Sequence, residues 1–244
     1  KPGMHHEGVA RMSGIVAGDE DSYRAFARLF DPVIESLHPP FRRTPAHLAD
    51  RHVSNFNAAR LLDTPIDPKG SCVISSRIRA ARNVRGFPLP PASDAETRRD
   101  LELKIIDGLE HLRGGIHGDY FPLSGSESFP ARPGGMEAEH EAALRSANLL
   151  FLEPTTPVLI AGGYHRDWPE ARGMFANDEQ DFMVWVNEKD HMRIIATEEG
   201  SDLQHAFSRF CAAIVQVEEC LQTVGLEWMH SDQLGYLTTD PANL

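Results

Sequence analysis

Two apolar segments joined by a short charged one, at residues 181–197, constrain the fold more than any other part of the chain. The sequence there is DFMVWVNEKDHMRIIAT, and its apolar parts are rich in valine, isoleucine, phenylalanine and tryptophan. These residue types favour strands, and polar residues between two such runs are typical of a β-hairpin. The sequence therefore predicts two neighbouring strands, and a fold that contains a β-sheet.

The charged segment of this hairpin has two interpretations. It places Lys189 between two acidic residues, with His191 and Arg193 directly after them. A cluster of this kind is more often a solvated turn than a site. An arginine inside the run MRIIA, however, is costly to bury without a partner. Both interpretations, solvated turn and active-site edge, stay open from these residues alone.

Helical periodicity is found on both sides of the predicted hairpin. Residues 19–37 carry aromatic and aliphatic side chains at helical spacing. A second helix is predicted to begin at Ser93, with Glu96 in capping-box spacing, and to end at Gly114. A third covers residues 201–225, with its apolar side chains on one face. Helices therefore precede, flank and follow the predicted strands.

The middle of the N-terminal region indicates a domain boundary. Residues 38–70 are rich in proline, aspartate and asparagine and have weak periodicity, which predicts a linker. We therefore expect an α+β protein with a small helical domain at residues 1–60 and a larger domain at residues 61–244. The ends, KPGMHHEG and DPANL, have neither an initiator methionine nor a helix cap, so we expect a chain trimmed at both ends, its second domain truncated on the C-terminal side.

Composition limits the ligands and the compartment. A net charge of -12 repels nucleic acid and anionic membranes, so neither is an expected partner, and an anionic ligand must meet a local basic site. Three cysteines without a CxxC pair argue against a disulfide framework or a zinc site and favour the cytoplasm. The longest apolar run is interrupted by Pro154 and Pro157, so no transmembrane helix is expected. Neither a Walker phosphate loop, GxGxxG nor GxSxG is present.

A basic strand is the first candidate for such a local site. In SSRIRAAR, residues 75–82, strand alternation places Ser75, Arg77 and Arg79 on one face. Two guanidinium groups and a hydroxyl on one side of a strand match the geometry of phosphate oxygens. The alternative is an edge strand with a solvated basic face. The acidic composition of the chain shifts the balance toward phosphate binding, but both interpretations stay open from these residues alone.

Five segments, in order, resemble the phosphagen kinases, the ATP:guanido phosphotransferases that include arginine kinase and creatine kinase. They are VAGDEDSYRAFARLFDPVIESLH, SSRIRAARNVRGFPLP, RDWPEARGMFAND, FMVWVNEKDHMRII and GYLTTDPANL. The resemblance implies a small helical N-terminal domain and a catalytic domain of antiparallel sheet flanked by helices. It also implies reversible transfer of the γ-phosphoryl group of ATP to a guanidino nitrogen.

The same resemblance implies the ligands and their binding residues. The nucleotide-binding positions of the family map onto Ser75, Arg77, Arg79 and Arg193. The expected ligands are ATP or ADP with Mg²⁺ and a guanidino small molecule, and the expected assembly is a homodimer. Phosphoryl transfer depends mainly on positioning and on charge neutralisation, so an arginine cage on a sheet suits it without a Walker loop.

Other positions depart from the family pattern. The carboxylate that holds the guanidinium in the family falls on Lys189, and the neighbouring acid, Glu188, is expected to point elsewhere. The family's reactive cysteine falls on Asp240, and a histidine of the nucleotide pocket falls on Asn148. The substrate loop includes Ser13 and Gly14 and fits neither the creatine nor the arginine pattern. Guanidino-site chemistry is therefore expected to be altered.

These departures leave three hypotheses. The chain belongs to a working kinase, to a catalytically impaired paralogue that binds nucleotide or assists a partner subunit, or to a structural domain without nucleotide affinity. At the guanidino site, Lys189 and Asp240 are expected either to form a salt bridge or to exchange roles, with Asp240 as the carboxylate and Lys189 on a phosphate. A cation about 4 Å from a guanidinium costs about 4 kcal/mol at an effective dielectric constant of about 20, which favours impairment.

Overall fold

The fold is that of a computed structural model, which describes residues 13–38 and 66–244. Most of the predicted linker at residues 38–70 thus lies outside the described residues. The helices are α1 Ser22–Ala25, α2 Ala27–Leu37, α3 Ala95–Leu109, α4 Ala138–Ser146, α5 Pro157–Ala161 and α6 Leu203–Thr223. The strands are β1 Ser75–Arg82, β2 Gly118–Pro122, β3 Gly173–Asn177, β4 Phe182–Val186, β5 Met192–Glu199, β6 His230–Ser231 and β7 Gly235–Tyr236. None of the helices in these ranges is long and apolar enough to span a membrane.

Five strands form one antiparallel sheet in the order β1-β5-β4-β3-β2. The predicted hairpin is its centre: β4 and β5 pair through the turn at 187–191, with Val186 opposite Met192. Helices flank this sheet and a helical region precedes it, so the predicted α+β class with an antiparallel sheet is confirmed. The basic strand β1 lies at the edge of the sheet and pairs with β5 along its whole length.

The two long helices cover one face of the sheet. Leu101, Ile105 and Leu109 of α3 are fully buried against apolar side chains of α6 and of the central strands. Burying a leucine or isoleucine contributes about 2 kcal/mol, so this layer supplies much of the driving force for folding. We call it the back face. The opposite side of the sheet is the front face.

The predicted bounds of α3 were wrong at both ends. Asp94, not Ser93, caps the helix: its carboxylate accepts a hydrogen bond of 2.8 Å from the backbone amide of Thr97. The helix ends at Leu109, five residues before Gly114. Ser93 and Asp94 are both good N-cap residues, so the sequence alone favours neither. Leu112 is buried and continues the apolar pattern beyond the last helical residue. The pattern alone therefore does not indicate where the helix ends.

The N-terminal helices pack against the C-terminal segment. Tyr23 and Ile34 share a buried cluster with Met229 and Leu237, and the Tyr23 hydroxyl donates a hydrogen bond of 2.7 Å to the carbonyl of Thr238. Burial raises the pKa of this phenol far above its usual range, so the hydroxyl keeps its proton. The N-terminal helices thereby fix the segment that carries Asp240.

Candidate functional site

Strand register places three arginines on the front face of the sheet. Arg77 and Arg79 alternate along β1, and Arg193 on β5 lies opposite Ala81, two residues beyond Arg79. Residues directly opposite each other in an antiparallel pair point to the same side. All three side chains line one cavity of about 460 Å³.

Charged and aromatic side chains line the cavity together. Its remaining walls come from the segment at 148–168, from the strand residue Trp185 and from the turn after β4. The charged side chains that line it are Arg77, Arg79, Glu153, Glu188, Lys189 and Arg193, and the aromatic ones are Phe151, Tyr164, Trp168 and Trp185. A cavity with convergent polar groups and an apolar wall is the usual form of a small-molecule site.

The two arginines of β1 that face the cavity, Arg77 and Arg79, have no counterion in the part of the chain that the structure describes. In the ranges 13–38 and 66–244, neither Arg77 nor Arg79 has a carboxylate within ion-pair distance. Partial burial, and then the neighbouring charge of Arg79, lower the pKa of the Arg77 guanidinium. Two adjacent cations that face a cavity in an acidic protein repel each other until an anion arrives. This arrangement is suited to bind a phosphate.

The turn after β4 carries Glu188 and Lys189, which line the cavity. Asn187 adopts a left-handed conformation (φ 56°), and its amide group donates a hydrogen bond of 2.8 Å to the carbonyl of Ala171. The buried carboxylate of Asp190 accepts a hydrogen bond of 2.8 Å from the Asn83 side chain, whose oxygen in turn accepts one of 2.7 Å from the backbone of His191. Both ends of the turn are thereby held by buried partners.

The tip of the turn forms a short chain of charges. Glu188 Oε2 lies 3.5 Å from a guanidinium nitrogen of Arg193, and Glu188 Oε1 lies 3.9 Å from Lys189 Nζ. The expectation that Glu188 points away from the site was wrong: its side chain is only 13% exposed and lines the cavity. The two cations on either side attract it inward.

Asp240 is held elsewhere. Its carboxylate accepts hydrogen bonds of 3.0 Å from the backbone amide of Ala242 and 3.4 Å from that of Ser13. Within the described part of the chain, no ion pair joins Asp240 to Lys189, so the expected salt bridge is not formed. The reason is that each group has a nearer partner: Lys189 has Glu188, and Asp240 has the amides of the turn that it begins.

The other predicted site residues lie beside the cavity. Ser75 lines an adjoining depression of about 470 Å³, which shares Arg77 with the main cavity. Ser13 contacts Asp240, and Gly14 follows it with a positive φ of 83°. Asn148, at the family's histidine position, does line the main cavity. The structure therefore brings together three arginines with Glu188 and Lys189, but not with Ser13, Gly14 or Asp240.

Sequence reasoning missed the aromatic wall. Trp168 and the other aromatic residues of 148–168 are held in place by a loop that folds around Arg172, a fully buried residue. The Arg172 guanidinium donates hydrogen bonds to the carbonyls of Tyr164 (3.1 Å), Arg166 (2.9 Å) and Glu170 (3.1 Å). The only available signal was an apolar run with prolines at 149–163, outside any periodic element.

The buried imidazole of His191 predicts a pH-dependent stability. Its Nδ1 accepts a hydrogen bond from the amide of Val84, and burial, with a smaller contribution from Arg98, lowers its pKa to about 4. In the unfolded chain this imidazole has a pKa near 6.5. The contribution of His191 to the free energy of unfolding is therefore fully present above that pH and is lost as the pH drops toward 4. We expect His191 to account for a loss of about 2 kcal/mol between pH 6.5 and 5 in urea unfolding.

A matched variant isolates this contribution. His191→Gln cannot titrate, so its free energy of unfolding is expected to be lower at pH 8 but to depend less on pH between 6.5 and 5. Equal pH slopes for the wild-type protein and the variant would contradict the assignment.

Two family models match the chain. The model described as ATP:guanido phosphotransferase, C-terminal catalytic domain, matches residues 102–244, and that of the N-terminal domain matches residues 1–35. Creatine kinase M-type from Gallus gallus and from Bos taurus are each 38% identical over 231 residues, which is 95% of this chain and 56% of the relative. The chain thus spans just over half the length of these relatives.

Solved structures give the same result. A lombricine kinase superimposes with a TM-score of 0.81 at 34% identity, over 94% of this chain and 58% of that one. The substrate-free duplicated taurocyamine kinase from Schistosoma mansoni gives 0.79 at 33% identity, over 94% of this chain and 30% of that one. These matches confirm what the five sequence segments predicted: the chain belongs to the ATP:guanido phosphotransferase family, the phosphagen kinases.

Proposed function

We propose that this chain binds MgATP in the front-face cavity and takes part in reversible transfer of the γ-phosphoryl group to a guanidino compound. One observation carries the proposal: Arg77 and Arg79, which have no ion-pair partner among the described residues, face the same cavity as Arg193. We assign these three arginines to the phosphates and Ser75, in the adjoining depression, to the same ligand. The aromatic side chains that line the same cavity offer a surface on which a base can stack.

Mg²⁺ fits beside these residues. It is usually bound by one or two carboxylates together with the phosphates of the substrate. Glu188 lines the cavity. Asp190 Oδ2 is buried 3.9 Å from a guanidinium nitrogen of Arg193 and has no hydrogen-bond partner among the described residues. These two carboxylates would hold the ion. When bound, it would neutralise charge on the transferring phosphoryl group.

Two candidate functions remain, and the first is a working guanidino kinase. The residues at the expected guanidino site support it less well than the residues at the nucleotide site do. In the reaction, a guanidino nitrogen attacks the γ-phosphorus, the bond to the ADP oxygen breaks, and the nitrogen loses a proton. A carboxylate that holds the guanidinium would favour this step, yet Lys189 occupies the family's carboxylate position and Asp240 is bound to backbone amides. The second candidate is therefore a catalytically impaired relative that binds nucleotide.

The wider organisation is also proposed. The N-terminal domain at residues 1–60, the catalytic domain at residues 61–244 and a homodimer rest on the resemblance to phosphagen kinases. A cytoplasmic location rests on the composition and the sparse cysteines. Sedimentation velocity of the full-length protein tests the dimer.

A coupled ADP-release assay on the full-length protein distinguishes the candidates. The guanidino panel is arginine, creatine, lombricine and taurocyamine, since the relatives are named for creatine, lombricine and taurocyamine. ADP formation that depends on one of these compounds supports the kinase. MgATP binding by calorimetry without such ADP formation supports the impaired relative. Absence of MgATP binding would contradict both.

A further inference from the structure

Lys189 is an unusual cation in this protein. It is one of four lysines in the sequence, whereas arginine supplies the other twenty basic side chains. Its side chain is 20% exposed and lines the same cavity as Arg77, Arg79 and Arg193. Its ion-pair partner is Glu188, at 3.9 Å, which is at the outer limit for such a contact. Lys189 thus forms a long ion pair and lines the cavity together with the three arginines.

The cavity carries more positive than negative charge. Four cations line it, against the carboxylates of Glu188 and Glu153. Glu153 is engaged by His165, whose Nε2 lies 2.9 Å away. Of the two lining carboxylates, Glu188 is therefore the one that contacts the cations, and it is shared between Lys189 and Arg193, while Asp190, 3.9 Å from Arg193, is buried and does not line the cavity. A ligand that balances this excess must carry several negative charges close together.

We infer that Lys189 is a fourth phosphate-binding residue, held by Glu188 until a polyphosphate replaces that carboxylate. The inference deepens the proposed function and rests on it, because it assumes that the cavity receives a nucleotide. A lysine suits the role, since its flexible stem carries three donors and can move from one oxygen to another. Glu188 then acts as an internal anion that competes with the ligand for Lys189 and Arg193.

The inference predicts opposite changes in polyphosphate affinity for variants of Lys189 and of Glu188. Loss of the Lys189 charge removes one charge-assisted contact to the ligand, which we expect to weaken polyphosphate binding about 10-fold. Loss of the Glu188 charge removes the competitor, so Glu188→Gln is expected to bind several-fold more tightly. If Lys189 only formed an ion pair with Glu188 and did not contact the ligand, its replacement by glutamine would not weaken polyphosphate binding.

Calorimetric titration of the full-length protein with ATP and with inorganic tripolyphosphate tests the inference. EDTA is present throughout, so that a carboxylate cannot act through a metal. The variants are Lys189→Gln, Glu188→Gln, Arg79→Gln as a binding-loss reference and Lys104→Gln as a charge control. Lys104 is half-exposed on α3, pairs with Asp100 at 2.8 Å and does not line the cavity. Thermal unfolding of each variant shows that it is folded.

The expected result is about 10-fold weaker binding of both ligands by Lys189→Gln, tighter binding by Glu188→Gln, and wild-type affinity for Lys104→Gln. If Lys189→Gln binds like the wild type while Arg79→Gln is weakened, the inference is overturned and the nucleotide site stands. If the wild-type protein binds neither ligand, both the inference and the proposed nucleotide site are overturned.

Discussion

Replacement of Lys189 by glutamate is expected to raise guanidino-dependent ADP formation by about 1,000-fold at saturating MgATP. The substitution removes a cation from beside the guanidinium and supplies the carboxylate that the family pattern has there. Each change is worth about 4 kcal/mol at about 4 Å and an effective dielectric constant of about 20, and solvent reduces their sum. Because Lys189 also contacts phosphate in this account, the KM for ATP is expected to rise while kcat increases.

The matched control is Lys104→Glu, which makes the same change of charge on the exposed surface of α3. It is expected to leave the rate unchanged. A wild-type rate equal to that of Lys189→Glu would show that the lysine does not impair transfer and that the site uses another carboxylate. Asp240 would then be the first residue to test, by Asp240→Asn in the wild-type background.

Replacement of both Arg77 and Arg79 by glutamine is expected to weaken MgATP binding about 1,000-fold in calorimetric titration. Hydrogen bonds that involve a charged group contribute about 1.5–3 kcal/mol each, so two such contacts together account for this loss. Since neither arginine has an ion-pair partner among the described residues, the free energy of unfolding is not expected to fall. The loss therefore reports ligand binding and not folding.

The matched control is the pair Arg24→Gln and Arg28→Gln, which removes the same charge from exposed positions on α1 and α2. It is expected to retain the wild-type affinity for MgATP. If both double variants lose affinity equally, the effect comes from overall charge, and the assignment of Arg77 and Arg79 is wrong.

The sheet and the direction of its arginines follow from local sequence rules. Alternation along SSRIRAAR predicts the common face of Arg77 and Arg79, and the apolar runs on either side of the turn predict β4 and β5. These features depend on neighbours along the chain and on strand geometry, which a single sequence contains. Helix ends are harder, because Ser93 and Asp94 offer equivalent caps one residue apart.

The walls and the charge pairs of the cavity could not be predicted in this way. Trp168 reaches the cavity because the buried Arg172 folds its loop. Asp240 accepts a hydrogen bond from the backbone amide of Ser13, near the opposite end of the chain, and no ion pair joins it to Lys189 among the described residues. Such contacts depend on which segments the fold brings together. Glu188 turns inward because Arg193, on the next strand, attracts it.

A crystal structure of the full-length protein with MgADP would show whether the three arginines bind the phosphates. We expect phosphate oxygens within hydrogen-bond distance of the guanidinium groups of Arg77, Arg79 and Arg193, on the front face of the sheet. Nucleotide bound away from this face, or phosphates that none of the three guanidinium groups contacts, would contradict this expectation.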